Sequence, residues 1–428
     1  MVQTWRLWGL VMRSGILGSM HFFMLLLVLN VAFQAGATGL NPPTDTEFKT
    51  WLEQLWPEAE RAGVSRATFD LAIGDLDLDL TIPDLIIPGR RDVSGGQPEF
   101  VKPPSEYLSE SALSRLAKAG TKRMAQYNQL LLDIEREFGV PPSIIVAVWG
   151  RESDYGNDQD SHNAIRVLAT EAYLGRRKDM FRHELLLALK MVNDGFITIP
   201  EMRSSWAGAM GPTQFLPSDF YRFAVDFDGD GRKNIWTSIP DALASAAKQL
   251  VDYGWQRGRH WGYEVRSGQE PDCTFAAPDF RLPVEHWAKL GLSPVSNSGF
   301  PKEALSEDAS LLMPAGTFGP KFLTLNNFNA IRLYNSSDLY ALFVGHLSDR
   351  IDGGKPFATP WMNLPPLDVR SVEEVQRHLI AAGYYYDEVD GRPGSRTRSA
   401  LGLYQRASGL KVDCWPKASD LQYMRNGG

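Results

Sequence analysis

Residues 147–156 read AVWGRESDYG. The run before them, PPSIIVAVW from Pro141 to Trp149, is apolar and opens on two prolines, which suit the first turn of a helix. Continued as a helix, it puts Ile145, Val148, Trp149 and Glu152 on one face. That face is otherwise apolar, so the carboxyl of Glu152 is partly desolvated, which favours its protonated form. A carboxylic acid held in that state is what a general acid requires. The competing reading is an acid at a helix end that reaches water or pairs with Arg151 or a distant arginine. From this stretch alone the two stand even.

Working outward, residues 45–255 are mostly helical in pattern. EFKTWLEQLWPEAERAG and SRATFDLAI show helical apolar spacing, as does MFRHELLLALKMVNDG up to Gly195. The stretch from Ser111 to Gly139 reads as a longer helical region, broken near Gly120 and closed by Gly139. From about 256 to 330 the chain is richer in Gly, Pro and Ser with short apolar runs, which predicts a small β-containing lobe. Helix returns at DLYALFVGHLSDRI. Residues 353–367 form a Gly/Pro-rich linker across which few contacts are expected, and 368–428 form a separate small domain.

The 428 residues carry a net charge of −7, with 43% hydrophobic and 22% charged residues. That is ordinary globular composition. No Lys/Arg block stands out, which argues against nucleic acid as a partner. Arg6 and Arg13 precede an apolar run over 15–33, followed by Ala35 and Ala37 in an A-x-A arrangement. This predicts a signal peptide over 1–37 and a soluble, exported, periplasmic protein. No cysteine ends the run, so no lipid anchor is expected. The two cysteines, Cys273 and Cys414, lie far apart in sequence and in different predicted domains, so both are expected to be free thiols.

A second motif, SSWAGAMGPTQFLPSDF (204–220), is dense in small residues around Gln214. Small residues let backbone approach a ligand closely. A tight structural turn between helices would read the same way. GRESDYG followed about 55 residues later by AGAMGPTQFLPS resembles the lytic transglycosylases of bacterial cell walls, in particular the B-type family. The resemblance runs over most of residues 45–350. It implies a mostly α, lysozyme-like catalytic domain (38–352) with Glu152 as the catalytic acid/base. It further implies that Tyr107, Arg176, Arg177, Ser205, Gln214, Tyr334 and Asn335 line the saccharide cleft. The expected partner is the glycan strand of peptidoglycan, with other cell-wall enzymes as further candidates.

Most glycosidases use two carboxylates. This motif offers one, because Asp154 lies two residues on and cannot share a helix face with Glu152. The family chemistry needs no cofactor. Muramic acid supplies a 2-acetamido group and its own 6-hydroxyl, so one acid/base suffices to give a 1,6-anhydro product. Hydrolysis by a muramidase, or a non-catalytic scaffold that binds peptidoglycan, are the alternatives. Arg176 and Arg177 suit the carboxylates of lactyl or peptide groups.

In DFDGDGRKNIW (226–236), Asp226, Asp228 and Asp230 hold positions 1, 3 and 5 of an EF-hand-like loop, with Arg232 offering a backbone carbonyl at position 7. Position 12 is Thr237 rather than Glu, so Asp241 is the candidate to close a structural Ca²⁺ site. An Asp/Gly-rich turn that stays hydrated is the alternative. In the tail, VDGRPGSRTRSAL and YQRASGL resemble the three-helix peptidoglycan-binding domain found beside many cell-wall enzymes. That domain's usual final DG turn is VDCWP here, with Cys414 where glycine is expected.

Overall fold

The computed structural model describes residues 42–90, 102–158, 161–296 and 298–427. The expected signal peptide over 1–37 lies outside them. Among the described residues no helix is long and apolar enough to cross a membrane.

The body is helical, as its apolar periodicity requires. Helix Asp45–Gln54 starts at a capping box, in which Thr44 and Glu47 satisfy each other's backbone amides. The side chains of Ser65, Asn163, Ser238, Ser337 and Asp368 likewise cap the helices that follow them. The expected break at Gly120 is absent. Helix Glu110–Gln126 runs straight through it, and the chain turns at Tyr127 before helix Asn128–Phe138. Gly120 has a packing reason instead: a Cβ there would lie 2.5 Å from the Tyr155 hydroxyl and 2.7 Å from Ile351. The left-handed cap at Gly139 is as expected, with φ 72°.

Two apolar cores fill the body. One gathers the helices Glu110–Gln126, Asn128–Phe138, Pro142–Ser153 and Asp338–Ile351. The other gathers the first helices of the chain with Ala164–Leu174, Lys178–Asn193 and Pro217–Phe223. Tyr334 packs against both, which places it at their junction.

The strands are β1 (His162–Asn163), β2 (Arg203–Ser204), β3 (Gly262–Ser267), β4 (Arg281–Pro283), β5 (Leu292–Pro294), β6 (Asp308–Leu312) and β7 (Lys321–Thr324). β1 and β2 form a short antiparallel ribbon that the sequence reading missed. The other five form an antiparallel sheet in the order β4-β6-β7-β3-β5, which is the predicted lobe.

The tail folds as three helices, Val369–Ala381, Ser395–Ala407 and Ala418–Arg425. Two buried amides organise its turns in parallel ways. Gln376 Oε1 accepts from the amides of Asp390 and Gly391, and its Nε2 donates to Asp390 Oδ1. Gln405 Oε1 accepts from Asp413 and Cys414, and its Nε2 donates to Asp413 Oδ1. Gly391 and Cys414 thus hold equivalent places, both with positive φ (69° and 54°).

The cysteines are not free. Cys273 and Cys414 form a disulfide with Cα atoms 6.1 Å apart, across 141 residues of sequence. They do belong to different domains, but the tail packs its second helix and last turn on the β lobe, so the two meet. Gly402 makes room for the bridge: a Cβ there would lie 2.3 Å from Cys414 Sγ. Around it, Ser399 Oγ donates to Thr274 O (2.6 Å), Arg396 pairs with Asp279 (2.8 Å) and Arg406 pairs with Asp272 (2.5 Å).

The linker is also engaged, contrary to its composition. Phe357 stacks on His346 with centroids 3.7 Å apart and meets Phe322 edge-on. Glu264 accepts from the amides of Ala358 and Thr359 at 2.9 and 2.8 Å. Pro and Gly made these residues read as a spacer, but the aromatics Phe357 and Trp361 anchor them.

Candidate active site

Each residue of WGRESDYG has a separate task. Trp149 is buried between Tyr127 and Tyr155. Gly150 is small because Tyr155 lies against it; a Cβ would sit 2.4 Å from the tyrosine ring. Arg151 donates to the Tyr107 hydroxyl (2.7 Å) and lies over the rings of Tyr107 and Phe343. Ser153 Oγ donates to Pro212 O (2.8 Å) and accepts from Gly156 N. Asp154 ends the helix in the left-handed region, and both its oxygens accept from Arg115 at 2.8 Å. Tyr155 also has positive φ (62°), and its hydroxyl donates to Leu116 O.

Glu152 is the residue left facing the junction of the two cores. The residue is half-buried, and Oε1 accepts from the Tyr340 hydroxyl. Tyr340 is fully buried and stacks on Tyr334, with centroids 6.1 Å apart and planes at 12°. Burial and the nearby Glu152 hold both phenols neutral, well above their ordinary range. Tyr340 was missed in the sequence. Its signal was the second tyrosine of RLYNSSDLY, behind an N-cap serine that sets its orientation.

The Gln214 loop reaches the same place. Ser153 is bonded to Pro212, and the Tyr334 hydroxyl donates to Thr213 O (2.8 Å). The helix end, the loop and the Tyr334 turn are therefore tied together. Gln214 has φ 54°, with its side chain donating to Gly211 O. Ser205 sits at a turn closed by its amide on Ala209 O. Asn335 ends its helix next to Tyr334.

Tyr107 lies on the Arg151 side of helix Pro142–Ser153. It is 7% exposed and packs behind Arg151 and Phe343. Its contacts support the helix that carries Glu152. Arg176 and Arg177 are exposed on a turn. Arg176 pairs with Asp84 (2.9 Å), and Arg177 lies over the Phe181 ring. Beneath them Glu171 is completely buried, with both carboxyl oxygens lacking a hydrogen-bond partner among the described residues. Burial foremost, then Asp84, pushes its carboxyl up to about 7.

The acidic loop fits a hard cation. Carboxylate oxygens of Asp226, Asp228 and Asp230 lie within 4.8 Å of one another, all on exposed residues. Among the described residues none of the three has a cationic partner. Asp226 accepts from the amides of Gly229 and Gly231, which folds the loop around the acids. Arg232 donates its amide to Asp230. Asp241 does not join the group. It is buried and accepts from the amides of Phe227, Asp228 and Asn234, so it holds the loop from behind.

A lysozyme-like helical body that ends a buried helix on a half-buried carboxyl, with a three-helix module attached, defines an enzyme that cleaves bacterial wall glycan. Residues 47–349 match the transglycosylase SLT domain and residues 369–413 match a putative peptidoglycan binding domain. The chain belongs to the transglycosylase SLT family. It is 32% identical over 263 residues, 59% of this chain and 70% of the relative, to membrane-bound lytic murein transglycosylase B of Escherichia coli. It is similar in structure to SltB3 of Pseudomonas aeruginosa, solved with NAG-anhNAM-pentapeptide. That likeness has a TM-score of 0.80 and 39% identity, over 88% of this chain and 99% of the other. The Escherichia coli lytic transglycosylase Slt35, solved with calcium, is similar at TM-score 0.56 and 26% identity, over 73% and 93%.

Proposed function

We propose that this chain cleaves the β-1,4 bond between N-acetylmuramic acid and N-acetylglucosamine without water, with Glu152 as its sole acid/base. The observation that carries the reading is the placement of the Glu152 carboxyl. Tyr340 fixes it at a junction to which the Gln214 loop and Tyr334 are also tied. The next acid in the motif is turned away, with Asp154 committed to Arg115.

Glu152 gives its proton to the bridging oxygen as the C1–O bond breaks. The 2-acetamido group stabilises the positive charge at C1. The muramic 6-hydroxyl then attacks C1 and returns its proton to the Glu152 carboxylate, closing the 1,6-anhydro ring. Atoms balance with no water consumed. Ser205, Gln214, Tyr334 and Asn335 form the cleft around this carboxyl, and Arg176 and Arg177 offer charge to carboxylates on the substrate. Tyr107 positions Arg151 and its helix. Ca²⁺ on Asp226, Asp228 and Asp230, with the Arg232 carbonyl, is a structural ion that stiffens the loop before helix Ile239–Asp252. The protein works in the periplasm after removal of residues 1–37.

The test is Glu152→Gln, read by mass spectrometry of muropeptides from isolated sacculi. The parent gives 1,6-anhydro ends, one water lighter than hydrolysis products. The variant is expected to lose about 10³-fold or more in rate, within the range of proton-transfer catalysis. Near-normal turnover by a folded variant would overturn the assignment.

A further inference from the structure

The turn that carries Arg176 and Arg177 rests on a carboxyl. Glu171 lies one helical turn before Gly175, whose amide donates to Glu171 O (2.8 Å). Its side chain is completely buried, and neither carboxyl oxygen has a hydrogen-bond partner among the described residues. Gly175 is small for this reason: a Cβ there would run into Glu171 Oε2. The turn is clamped from its other side by residues 84–86. Leu85 bridges to Gly175, the Ile86 amide donates to Leu174 O (2.7 Å), and Arg176 pairs with Asp84 (2.9 Å). Arg177 has no such tie. It is exposed, lies 5.1 Å above the Phe181 ring with Nη1 toward Met180 Sδ, and makes no ion pair among the described residues.

Few charges face Glu171. Burial raises its carboxyl most, Asp84 raises it further, and Arg177 opposes both. Asp79, on the same segment as Asp84, faces Arg166 and donates its amide to Thr170. Helix Lys178–Asn193, packed alongside, brings apolar Phe181 and Leu185 to the shared core, and its buried acid Glu184 is taken up by Ser218. Arg177 is therefore the cation that answers Glu171 when it ionises. A buried carboxylate without donors is costly, so ionisation favours any movement that brings that guanidinium to it.

We propose that Glu171 is a positioning residue for the carboxylates of the substrate: protonated, it leaves Arg177 to them, and ionised, it draws the Arg177 guanidinium down and away. This rests on the proposed function, which gives Arg176 and Arg177 to those carboxylates. Two anions then compete for one guanidinium fork. Only a proton moves, from the Glu171 carboxyl to solvent. Coupling of this kind is reciprocal: a bound substrate carboxylate tightens the proton on Glu171, and the proton tightens the substrate by the same factor. Affinity for an anionic substrate is thus full on the acid side and falls as pH rises through the neutral range.

The experiment is calorimetric titration of the full chain with NAG-anhNAM-pentapeptide, beside the same compound with every carboxyl amidated. The range is about pH 5.5 to 8.5, over which the carboxylates of the probe stay ionised. For the parent, Kd for the acid should rise about fivefold or more across this range, and the amidated compound should show no such slope. Glu171→Gln should hold, at the alkaline end, the affinity that the parent has at the acid end. Arg177→Met should bind the acid weakly and without a slope. A flat Kd in the parent overturns the inference without needing any variant, as does an equal slope with the amidated compound. So does a Glu171→Gln protein that keeps the slope, which would assign the titration to another group. An Arg177→Met protein that keeps it would show that Glu171 does not act through Arg177, and also overturns it. Muropeptide products from sacculi are read in parallel. If anhydro ends form while the parent's Kd is flat, the inference alone fails; if none form, the proposed function fails.

Discussion

At the residue scale, a phenol that donates to a carboxyl does two things: it fixes the plane of the group and shares its charge. Tyr340 does both for Glu152, from a position with 1% exposure. Tyr340→Phe keeps the ring and its stack on Tyr334 but removes the donor. Hydrogen bonds to charged groups are worth about 1.5–3 kcal/mol, so kcat should fall about 10- to 100-fold with KM little changed and the alkaline limb of the pH–rate profile, where the acid loses its proton, displaced. A fall in KM affinity with kcat intact would give Tyr340 to substrate binding instead. Glu171 predicts a stability effect. Its folded carboxyl sits near 7 against an ordinary 4.5, so the folded chain binds the proton more tightly than the unfolded one. Stability from this group is full below about 4.5 and is lost as pH rises through about 7, by roughly 3 kcal/mol. His346, pushed down to about 4 by burial, has the opposite slope over an overlapping window. The measurement is therefore the difference between parent and Glu171→Gln in melting temperature from pH 4.5 to 8. The variant should lack the loss on the alkaline side; parallel curves would show that Glu171 does not titrate. Glu152 stood out as a candidate because an acid on an apolar helix face is anomalous, and the family resemblance, not that stretch, gave it a role. Glu171 did not stand out, since a glutamate within a helical pattern shows nothing of its burial until the Arg176 turn folds over it.

Elements were legible where their signals are local. The Gly139 cap, the proline start of helix Pro142–Ser153 and the change to short apolar runs after 256 all depend on neighbouring residues, and the structure has each of them. The signals failed where tertiary packing decides. Gly120 looked like a helix breaker, yet it is a notch for Tyr155 and Ile351. Asp241 looked like a metal ligand; it sits in the first turn of its helix, and its carboxylate collects three backbone amides behind the loop. The acidic loop carries its own prediction. Asp226, Asp228 and Asp230 repel one another without a cation, so millimolar Ca²⁺ should raise the melting temperature, because the ion binds the folded loop only. Asp228→Ala should abolish that shift. Asp241→Asn should lower the melting temperature with or without Ca²⁺, since it weakens bonds to the loop backbone rather than to the ion. An Asp241→Asn protein that loses only its Ca²⁺ response would return Asp241 to the ligand set.

For the whole molecule, the sequence divided the chain at a boundary that the folded protein bridges. Composition sees Gly and Pro as a spacer, but cannot see that Phe357 and Trp361 lie on the core, or that two cysteines 141 residues apart share one face. Cys414 stands where the tail domain's usual glycine is expected, and its side chain is half of the staple. Cutting after Gly354 is therefore expected to harm the catalytic body rather than leave it intact. It would uncover Phe322 and His346, strip the amides that satisfy Glu264, and leave Cys273 unpaired. A loop of this length closed by a disulfide is worth up to about 5 kcal/mol on the chain-entropy account. The melting temperature of the truncated protein should fall by roughly 5–10 °C, since a kilocalorie moves a chain of this size only a few degrees. A cut after Met362 keeps Phe357 and Trp361 and should recover part of the loss. Cys273→Ser with Cys414→Ser in the full chain isolates the staple, because the ion pairs Arg396–Asp279 and Arg406–Asp272 remain. If the protein cut after Gly354 melts with the parent, the linker contacts contribute nothing to the body. If the two cuts melt together below the parent, the loss comes from the disulfide and the tail face alone, and the double serine variant should reproduce most of it.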